Sequence, residues 1–165
     1  MQPKNLDKGA LTETKFKEWL NYKKIPFWYI QQDIETFSQG LKQHNSKRPD
    51  FIILIPNIGS ILVDVEYKKL LEKHGKFPIN IEEANTYLNL QKYFNMPVWF
   101  AFSHENYNFK TWFWIPITEV IQTAIYQSKK DNEEKYYAVD IDKFKQLSYE
   151  DSINRLFSFT KGENK

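Results

Sequence analysis

The chain has 165 residues, of which 41% are hydrophobic and 17% aromatic, so it can bury a substantial hydrophobic core as a single domain. It contains no cysteine, which excludes disulfides, zinc ribbons, thiol nucleophiles and iron–sulfur clusters. The formal net charge of +2 is close to neutral, so charge alone neither requires nor excludes a nucleic-acid partner.

The cellular location of the protein is predicted from the apolar segments in its sequence. The first 15 residues contain no apolar core of the kind found in secretory signal peptides. No uninterrupted apolar stretch approaches the ~20 residues that a bilayer-spanning helix needs. We therefore expect a soluble, cytoplasmic protein with no membrane partner.

The chain begins with a predicted helix. Asp7 or Thr12 can cap it, it runs to about Lys24, and Pro26 ends it. One side of this helix carries Phe16, Trp19, Leu20 and Lys23.

Three strands are predicted next, from runs of aromatic, β-branched and other apolar residues. They cover residues 25–32, 50–55 and 61–68. A polar loop at 38–47 separates the first two strands, and turn-forming residues at 56–60 connect the last two as a hairpin.

The second half of the chain predicts alternating helices and strands. The predicted helices are 81–94, 117–130 and 149–159, and the predicted strands are 98–102, 112–115 and 136–141. This order indicates an α/β domain in which helices flank a mixed β-sheet.

Charged residues interrupt the two apolar strands of the predicted hairpin. Asp50 opens the first strand, whereas Asp64, Glu66 and Lys68 share one face of the second because side chains alternate along a strand. If the hairpin pairs around residues 57–59, Asp50 lies opposite residues near 66. Buried carboxylates need a cation or hydrogen-bond donors, so this convergence predicts a site for Mg²⁺ or Mn²⁺.

This pattern of residues resembles the PD-(D/E)xK nuclease superfamily, which has a restriction-endonuclease-like fold. The matching residues are Pro49-Asp50 and Glu66-Tyr67-Lys68. The resemblance covers about residues 8–103 and implies the core order helix, three strands, helix, strand. Residues 104–165 would form an additional C-terminal α/β segment of the same domain.

The resemblance also implies roles for the matching residues. Asp50 and Glu66 would be metal ligands together with the backbone carbonyl of Tyr67. Lys68 would orient the attacking water and stabilise the charge that develops on the phosphate.

The position of the Glu-x-Lys string matters more than the string itself. Four copies occur, at Glu13/Lys15, Glu66/Lys68, Glu133/Lys135 and Glu163/Lys165. Only the second copy lies in an apolar strand and follows the single Pro-Asp pair of the chain. The alternative for that copy is a structural salt bridge at a strand end.

Two further residues match positions that carry function in members of this superfamily. Glu13, on the first helix, would add an acidic metal ligand, and the alternative is an exposed glutamate at the start of a helix. Gln91, on the apolar face of the helix at 81–94, would lie near the metal or the scissile phosphate. The alternative is a buried glutamine that bonds only backbone groups.

The function implied is a Mg²⁺- or Mn²⁺-dependent endonuclease that acts on DNA in repair, recombination or defence. Many members act as dimers so that two sites meet two strands, so the resemblance also allows a homodimer. Basic residues expected to contact backbone phosphates are Lys47, Arg48, Lys69, Lys73 and His74.

Two other functions stay open from the sequence. One is a non-catalytic nucleic-acid-binding or scaffold module that retains the nuclease fold. The other is an unrelated α/β interaction domain in which Asp50, Glu66 and Lys68 form a structural ion-pair network.

Overall fold

The first helix presents a completely buried aromatic face to the protein interior. The computed structural model describes residues 4–127 and 134–158, and helix α1 spans Lys4–Tyr22. Phe16, Trp19 and Leu20 have no solvent exposure, as their spacing predicts. The helix begins before Asp7 and Thr12, so neither residue caps it. The Thr12 hydroxyl instead donates a hydrogen bond to the carbonyl of Lys8 at 2.7 Å.

The remaining regular elements follow in chain order. They are β1 (Phe27–Tyr29), α2 (Gln39–Gln43), β2 (Phe51–Ile55), β3 (Gly59–Tyr67), β4 (Lys76–Asn80), α3 (Ile81–Phe94), β5 (Val98–Ser103), β6 (Thr111–Pro116), α4 (Ile117–Val120), β7 (Ile125–Gln127), β8 (Lys135–Asp140) and β9 (Lys145–Ser148). Short 3₁₀ segments cover Ile34–Thr36, Glu105–Tyr107, Ile141–Lys143 and Ile153–Phe157.

Six strands form the main sheet in the order β1-β2-β3-β5-β6-β9. Its neighbouring strands are antiparallel except for β3 and β5, which are parallel because α3 lies between them in the chain. A smaller antiparallel sheet has the order β4-β8-β7. The chain therefore forms a mixed sheet flanked by helices, and the predicted fold class is confirmed.

Two apolar layers cover the two faces of the main sheet. On one face, the aromatic side of α1 packs against β2, β3, β5 and β6, with Ile153 and Leu156 of the C-terminal 3₁₀ segment beside it. On the other face, α3, α4 and the smaller sheet pack over Leu62, Phe100 and Phe102. Strand β5 contributes to both layers, and all six of its residues are buried.

The C-terminal third differs most from the sequence prediction. The helix predicted at 117–130 is wrong, because α4 ends at Val120 and β7 follows it. Six of the eleven residues 117–127 are β-branched, which favours extended backbone. Residues 128–130 of that prediction lie outside the described residues.

The helix predicted at 149–159 is also wrong over the residues that the structure describes, which end at 158. The Asp151 carboxylate accepts a hydrogen bond from the backbone N–H of Ser148 at 2.8 Å. The Ser152 hydroxyl accepts one from the N–H of Asn154 at 3.3 Å, and this local bonding competes with an α-helix. A 3₁₀ segment forms instead.

Besides β7, two strands and one helix were not predicted. Helix α2 lies within the segment predicted as a loop at 38–47. Strand β4 contains Pro78, which a short edge strand tolerates because an outward-facing position needs no N–H donor. Strand β9 is short and mostly polar, and it pairs only with β6.

Within residues 4–127 and 134–158, none of the helices combines the length and the apolar character that crossing a bilayer requires.

The aromatic layer beneath α1 generates a prediction about stability. The Phe16 ring lies 4.9–5.8 Å from the rings of Trp19, Phe51, Trp112 and Trp114. We expect Phe16→Ala to lower the free energy of unfolding by about 3–5 kcal/mol, because it opens a cavity among rigid rings. Phe94→Ala, which removes a 52%-exposed ring from α3, should change it by about 1 kcal/mol or less. Chemical denaturation of both variants measures this difference.

Candidate active site

The register of the β2–β3 hairpin determines which acidic residues face each other. Phe51 pairs with Val63 and Ile55 with Gly59, so Asp50 lies opposite Asp64. The predicted pairing with residues near 66 is therefore wrong by two positions. The turn centres on Asn57, one residue earlier than expected, with positive φ angles of 66° at Asn57 and 127° at Gly59.

Asp50 is held in place by the backbone of β3. Its N–H donates to the carbonyl of Val63 at 3.0 Å, and its Oδ2 accepts from the N–H of Val65 at 2.8 Å. The side chain thus occupies the position of a backbone partner just beyond the end of β2. Only 7% of the residue is exposed, so the hairpin fixes a carboxylate inside the protein.

Three carboxylates converge on the face of β3 that packs against α3. Single oxygens from Asp64, Glu66 and Glu83 all lie within 4.8 Å of one another. Glu83 reaches this point from the first turn of α3, which begins there because the Asn80 side chain accepts hydrogen bonds from the N–H groups of Glu82 and Glu83. We call these three residues and Asp50 the acidic cluster.

Two oxygens of the acidic cluster are buried without a hydrogen-bond partner. They are Oδ2 of Asp64 and Oε1 of Glu66. The other oxygen of Asp64 accepts a hydrogen bond from the hydroxyl of Tyr87, which fixes the carboxylate. Oxygen atoms buried in this way require a donor or a cation, and several carboxylates together suit Mg²⁺ or Mn²⁺. The residues present therefore fit a divalent cation.

Two lysines reach the acidic cluster from different elements. The Nζ of Lys68 lies 2.9 Å from Oε2 of Glu66, and the Nζ of Lys47 lies 2.7 Å from Oε1 of Glu83. The ammonium groups also face aromatic rings, with Lys68 over Phe102 and Lys47 over Tyr87. Two ammonium groups thus face a cluster of four carboxyl groups.

The pKa values of the cluster reflect burial and crowding. Burial raises the pKa of Asp50 to about 7, and burial together with the charges of Asp50 and Glu66 raises that of Asp64 well above its ordinary value. Burial acts in the same direction on Glu66, but the adjacent Lys68 ammonium outweighs it and lowers the pKa. Burial lowers the pKa of Lys47, whereas Asp64 and Glu83 raise it above its ordinary value overall.

Glu13 approaches the acidic cluster from the side of α1. Its Oε2 accepts a hydrogen bond from the Tyr29 hydroxyl at 2.7 Å, and its charge contributes to the raised pKa of Asp50. Glu13 is not among the carboxylates that converge at 4.8 Å, and its role as a metal ligand stays a prediction.

Gln91 is not brought to the acidic cluster. Its Oε1 accepts a hydrogen bond from the N–H of Val98 at 2.9 Å. Val98 pairs with Leu62, which precedes Asp64 by two residues and Glu66 by four, so this bond lies roughly 7 to 13 Å along the sheet from these two carboxylates. The described contact is the backbone-bonding alternative that the sequence left open.

The basic residues predicted to contact nucleic acid lie in different environments. Lys47 belongs to the acidic cluster, whereas Arg48 donates to the Thr36 hydroxyl at 2.6 Å and covers the ring of Phe37. The other three share the exposed loop between β3 and β4: Lys69, Lys73 and His74. The Tyr67 side chain lies on the opposite face of β3 from Glu66, and the metal-binding role of its carbonyl stays a prediction.

Two parts of the site were missed or underweighted from the sequence. The sequence pattern shows only that Asp64 shares a face of the strand with Glu66 and Lys68. The register makes it the residue opposite Asp50. Glu83 was not predicted as a site residue from the sequence. Its only local signal is an acidic residue after a helix-capping asparagine, which is usual for helix stability alone.

Comparisons with known proteins report on the fold. No model of a known protein family matches the sequence, and no curated protein matches it either. The structure is similar to that of Hjc, a Holliday junction resolvase from Archaeoglobus fulgidus, with a TM-score of 0.54 and 12% identity over 85% of this chain and 95% of Hjc. It is also similar to D212, a nuclease from a fusselovirus, with a TM-score of 0.51 and 16% identity over 89% of each chain.

The chain has the restriction-endonuclease-like fold. The sequence resemblance to PD-(D/E)xK nucleases is thereby confirmed at the level of the fold. The acidic cluster lies at the end of the β2–β3 hairpin, where the sequence pattern placed the Pro-Asp and Glu-x-Lys residues.

The burial of Asp50 predicts how stability depends on pH in the metal-free protein. The folded state holds a proton on Asp50 up to about pH 7, whereas its ordinary pKa is 3.8. The stabilising contribution is therefore complete below about pH 4 and is lost as the pH rises through 7, on the order of a few kcal/mol. Asp50→Asn cannot ionise and keeps an acceptor for Val65 N–H, so it should be more stable than wild type at pH 8.

Denaturation in EDTA at pH 4.5 and pH 8 checks this expectation. Asp142→Asn, which neutralises an exposed aspartate in a 3₁₀ segment, is the matched control and should follow wild type. Equal pH dependence of wild type and Asp50→Asn would contradict the assignment of a strained, buried carboxylate.

Proposed function

We propose that this protein is a divalent-metal-dependent nuclease that hydrolyses phosphodiester bonds in DNA, as an endonuclease in repair, recombination or defence. The observation that carries the proposal is the pair of buried, unpartnered oxygens on Asp64 and Glu66, beside the ammonium group of Lys68. The fold supports it, since Hjc is a Holliday junction resolvase and D212 is a nuclease.

The metal would be held by the acidic cluster. Asp64 and Glu66 supply the unpartnered oxygens, Asp50 and Glu83 complete the cluster, and Glu13 lies beside Asp50. The resemblance adds the backbone carbonyl of Tyr67 as a ligand. A bound Mg²⁺ or Mn²⁺ would neutralise phosphate charge and make water a better nucleophile at neutral pH.

The residues of the chain would orient the reacting groups. The N–H of Val65 and the hydroxyl of Tyr87 fix the carboxylates of Asp50 and Asp64, so these oxygens need little reorganisation before the reaction. Lys68 lies within hydrogen-bonding distance of Glu66 and is only 18% exposed. Its ammonium group can therefore orient the attacking water and stabilise negative charge on the phosphate.

Lys47 has a different place in this proposal. It was predicted to contact nucleic acid, but its Nζ pairs with Glu83 inside the site. The loop that carries Lys47 leads directly into Asp50. The lysine is therefore positioned by the same part of the chain as one carboxylate of the acidic cluster and contacts another. We propose that the ion pair with Lys47 holds the Glu83 carboxylate toward Asp64 and Glu66.

Substitution of the cluster tests the proposal. Asp64→Asn and Glu66→Gln should each lower cleavage by roughly 100-fold or more and weaken Mn²⁺ binding, because each removes a ligand while retaining the side-chain shape. Asp142→Asn is the control and should retain full activity. Cleavage of linear, nicked, branched and single-stranded DNA and of RNA is measured with Mg²⁺, Mn²⁺ or EDTA.

The rival functions give different results in this experiment. A non-catalytic module that retains the fold would bind nucleic acid without cutting any substrate, and Mn²⁺ titration would show no binding at the acidic cluster. If Asp64→Asn cuts as well as wild type, the site assignment is wrong even though the protein is a nuclease.

A further inference from the structure

A second group of polar side chains lies on the face of β3 opposite the acidic cluster. The Tyr67 hydroxyl donates to Oε1 of Glu105 at 2.9 Å and accepts from the Nζ of Lys8 at 3.2 Å. Lys8 Nζ also lies 3.7 Å from Oε1 of Glu105. We call these three residues the Lys8–Tyr67–Glu105 triad. A hydroxyl donor and an ammonium charge thus face one carboxylate oxygen.

The central hydroxyl of the triad is held by rigid neighbours. The ring of Tyr67 lies 4.4 Å from that of His104, and the Lys8 ammonium sits 4.8 Å above its centroid. His104 is itself buried, and its Nδ1 accepts a hydrogen bond from the N–H of Asn106 at 3.0 Å. The position of the hydroxyl is therefore set by packing and does not depend on Glu105.

A surface cavity lies beside the triad, and one residue of the acidic cluster contributes to its lining. It has a volume of about 380 Å³ and is lined by Lys8, Gly9, Val65, Glu66 and Tyr67. Of these residues, Glu66 is also a member of the acidic cluster. Gly9 leaves the wall of α1 open, because a Cβ at that position would contact nothing within 4 Å. Gly9 also precedes Glu13 by about one turn of α1.

We propose that the Lys8–Tyr67–Glu105 triad binds a backbone phosphate of the nucleic acid next to the one that is cleaved, with the Glu105 carboxylate occupying the phosphate position in the free protein. This inference rests on the proposed nuclease function. An ammonium and a hydroxyl group are donors that phosphate oxygens use in nucleic-acid complexes, and they accept a carboxylate oxygen in the same geometry.

Glu105 is suited to leave when a phosphate arrives. Its side chain is 59% exposed and that of Lys8 is 42% exposed, so water screens their attraction. Glu105 also belongs to a short 3₁₀ segment after β5, whereas Tyr67 belongs to the central strand β3. The hydroxyl donor is therefore held by the central strand, while the exposed carboxylate can rotate into solvent.

Helix α1 contains a matched control pair. Lys15 and Glu18 form a salt bridge of 2.8 Å, and their side chains are 40% and 54% exposed. This pair equals Lys8–Glu105 in charge and closely in exposure, but neither Lys15 nor Glu18 lines the cavity. Any effect of net charge on nucleic-acid binding should therefore be the same for the two pairs.

The test measures binding of a fluorescein-labelled DNA duplex by anisotropy in EDTA, between about 50 and 200 mM salt, where phosphate contacts dominate affinity. Lys8→Gln should weaken binding several-fold and reduce the slope of log K against log salt by about 1. Tyr67→Phe should weaken binding without changing that slope. Glu105→Gln should strengthen binding several-fold, and this gain should disappear in the Lys8→Gln background.

Two comparisons decide the outcome. Lys15→Gln and Glu18→Gln should leave affinity within about twofold of wild type, and Mn²⁺ binding should be retained in Lys8→Gln. If wild type binds and cleaves DNA but the triad variants behave like these controls, the phosphate site is overturned and the nuclease proposal survives. If wild type neither binds nor cleaves nucleic acid, both are overturned.

Discussion

The constraint on which the candidate site depends is the pairing of β2 with β3 at the level of Asp50. The N–H of Val65, which would otherwise continue the ladder, donates to the Asp50 side chain instead. This contact lies just before the first residue of β2, where Asp50 is opposite Asp64, so two carboxylates lie together inside the protein. Carboxylates in such proximity are unfavourable unless protons or cations compensate them. This unfavourable arrangement favours the binding of a compensating proton or cation at the site.

The two apolar layers hold the hairpin rigid enough to keep that arrangement. The aromatic side chains beneath α1 cover one face of β2 and β3, and the layer beneath α3 covers the other face. Tyr87 and Glu83 lie on α3, so the same packing that buries this helix brings a hydroxyl group and a carboxylate to Asp64. The parallel pairing of β3 with β5 follows from the crossover through α3 and fixes the height of the helix over the site.

The sequence was most informative where a residue pattern is local. The bounds of α3 agree with the prediction because Asn80 caps its start and Pro97 follows its end. The hairpin was predicted from its turn residues, but its register was wrong by two positions, since a one-residue shift of the turn moves every pair.

Residues that depend on distant packing could not be predicted in the same way. Nothing near Glu83 in the chain indicates that its carboxylate meets Asp64 and Glu66. Gln91 has the apolar surroundings expected of a buried residue, but only the structure identifies Val98 as its partner. The helices predicted after β6 failed for local reasons. β-Branched residues favour extended backbone over 117–127, and the side chains of Asp151 and Ser152 bond nearby N–H groups.

The acidic cluster joins three separate parts of the chain: the loop before β2, strand β3 and the first turn of α3. A cation that binds there binds only the folded state, since the unfolded chain holds these carboxylates apart. Free cation at a hundred times its dissociation constant would add about 2.7 kcal/mol to the stability of the whole domain. The concentration of divalent cations would thus affect the stability of the folded protein as well as the proposed reaction. The protein would resist proteolysis best under the ionic conditions that also support that reaction.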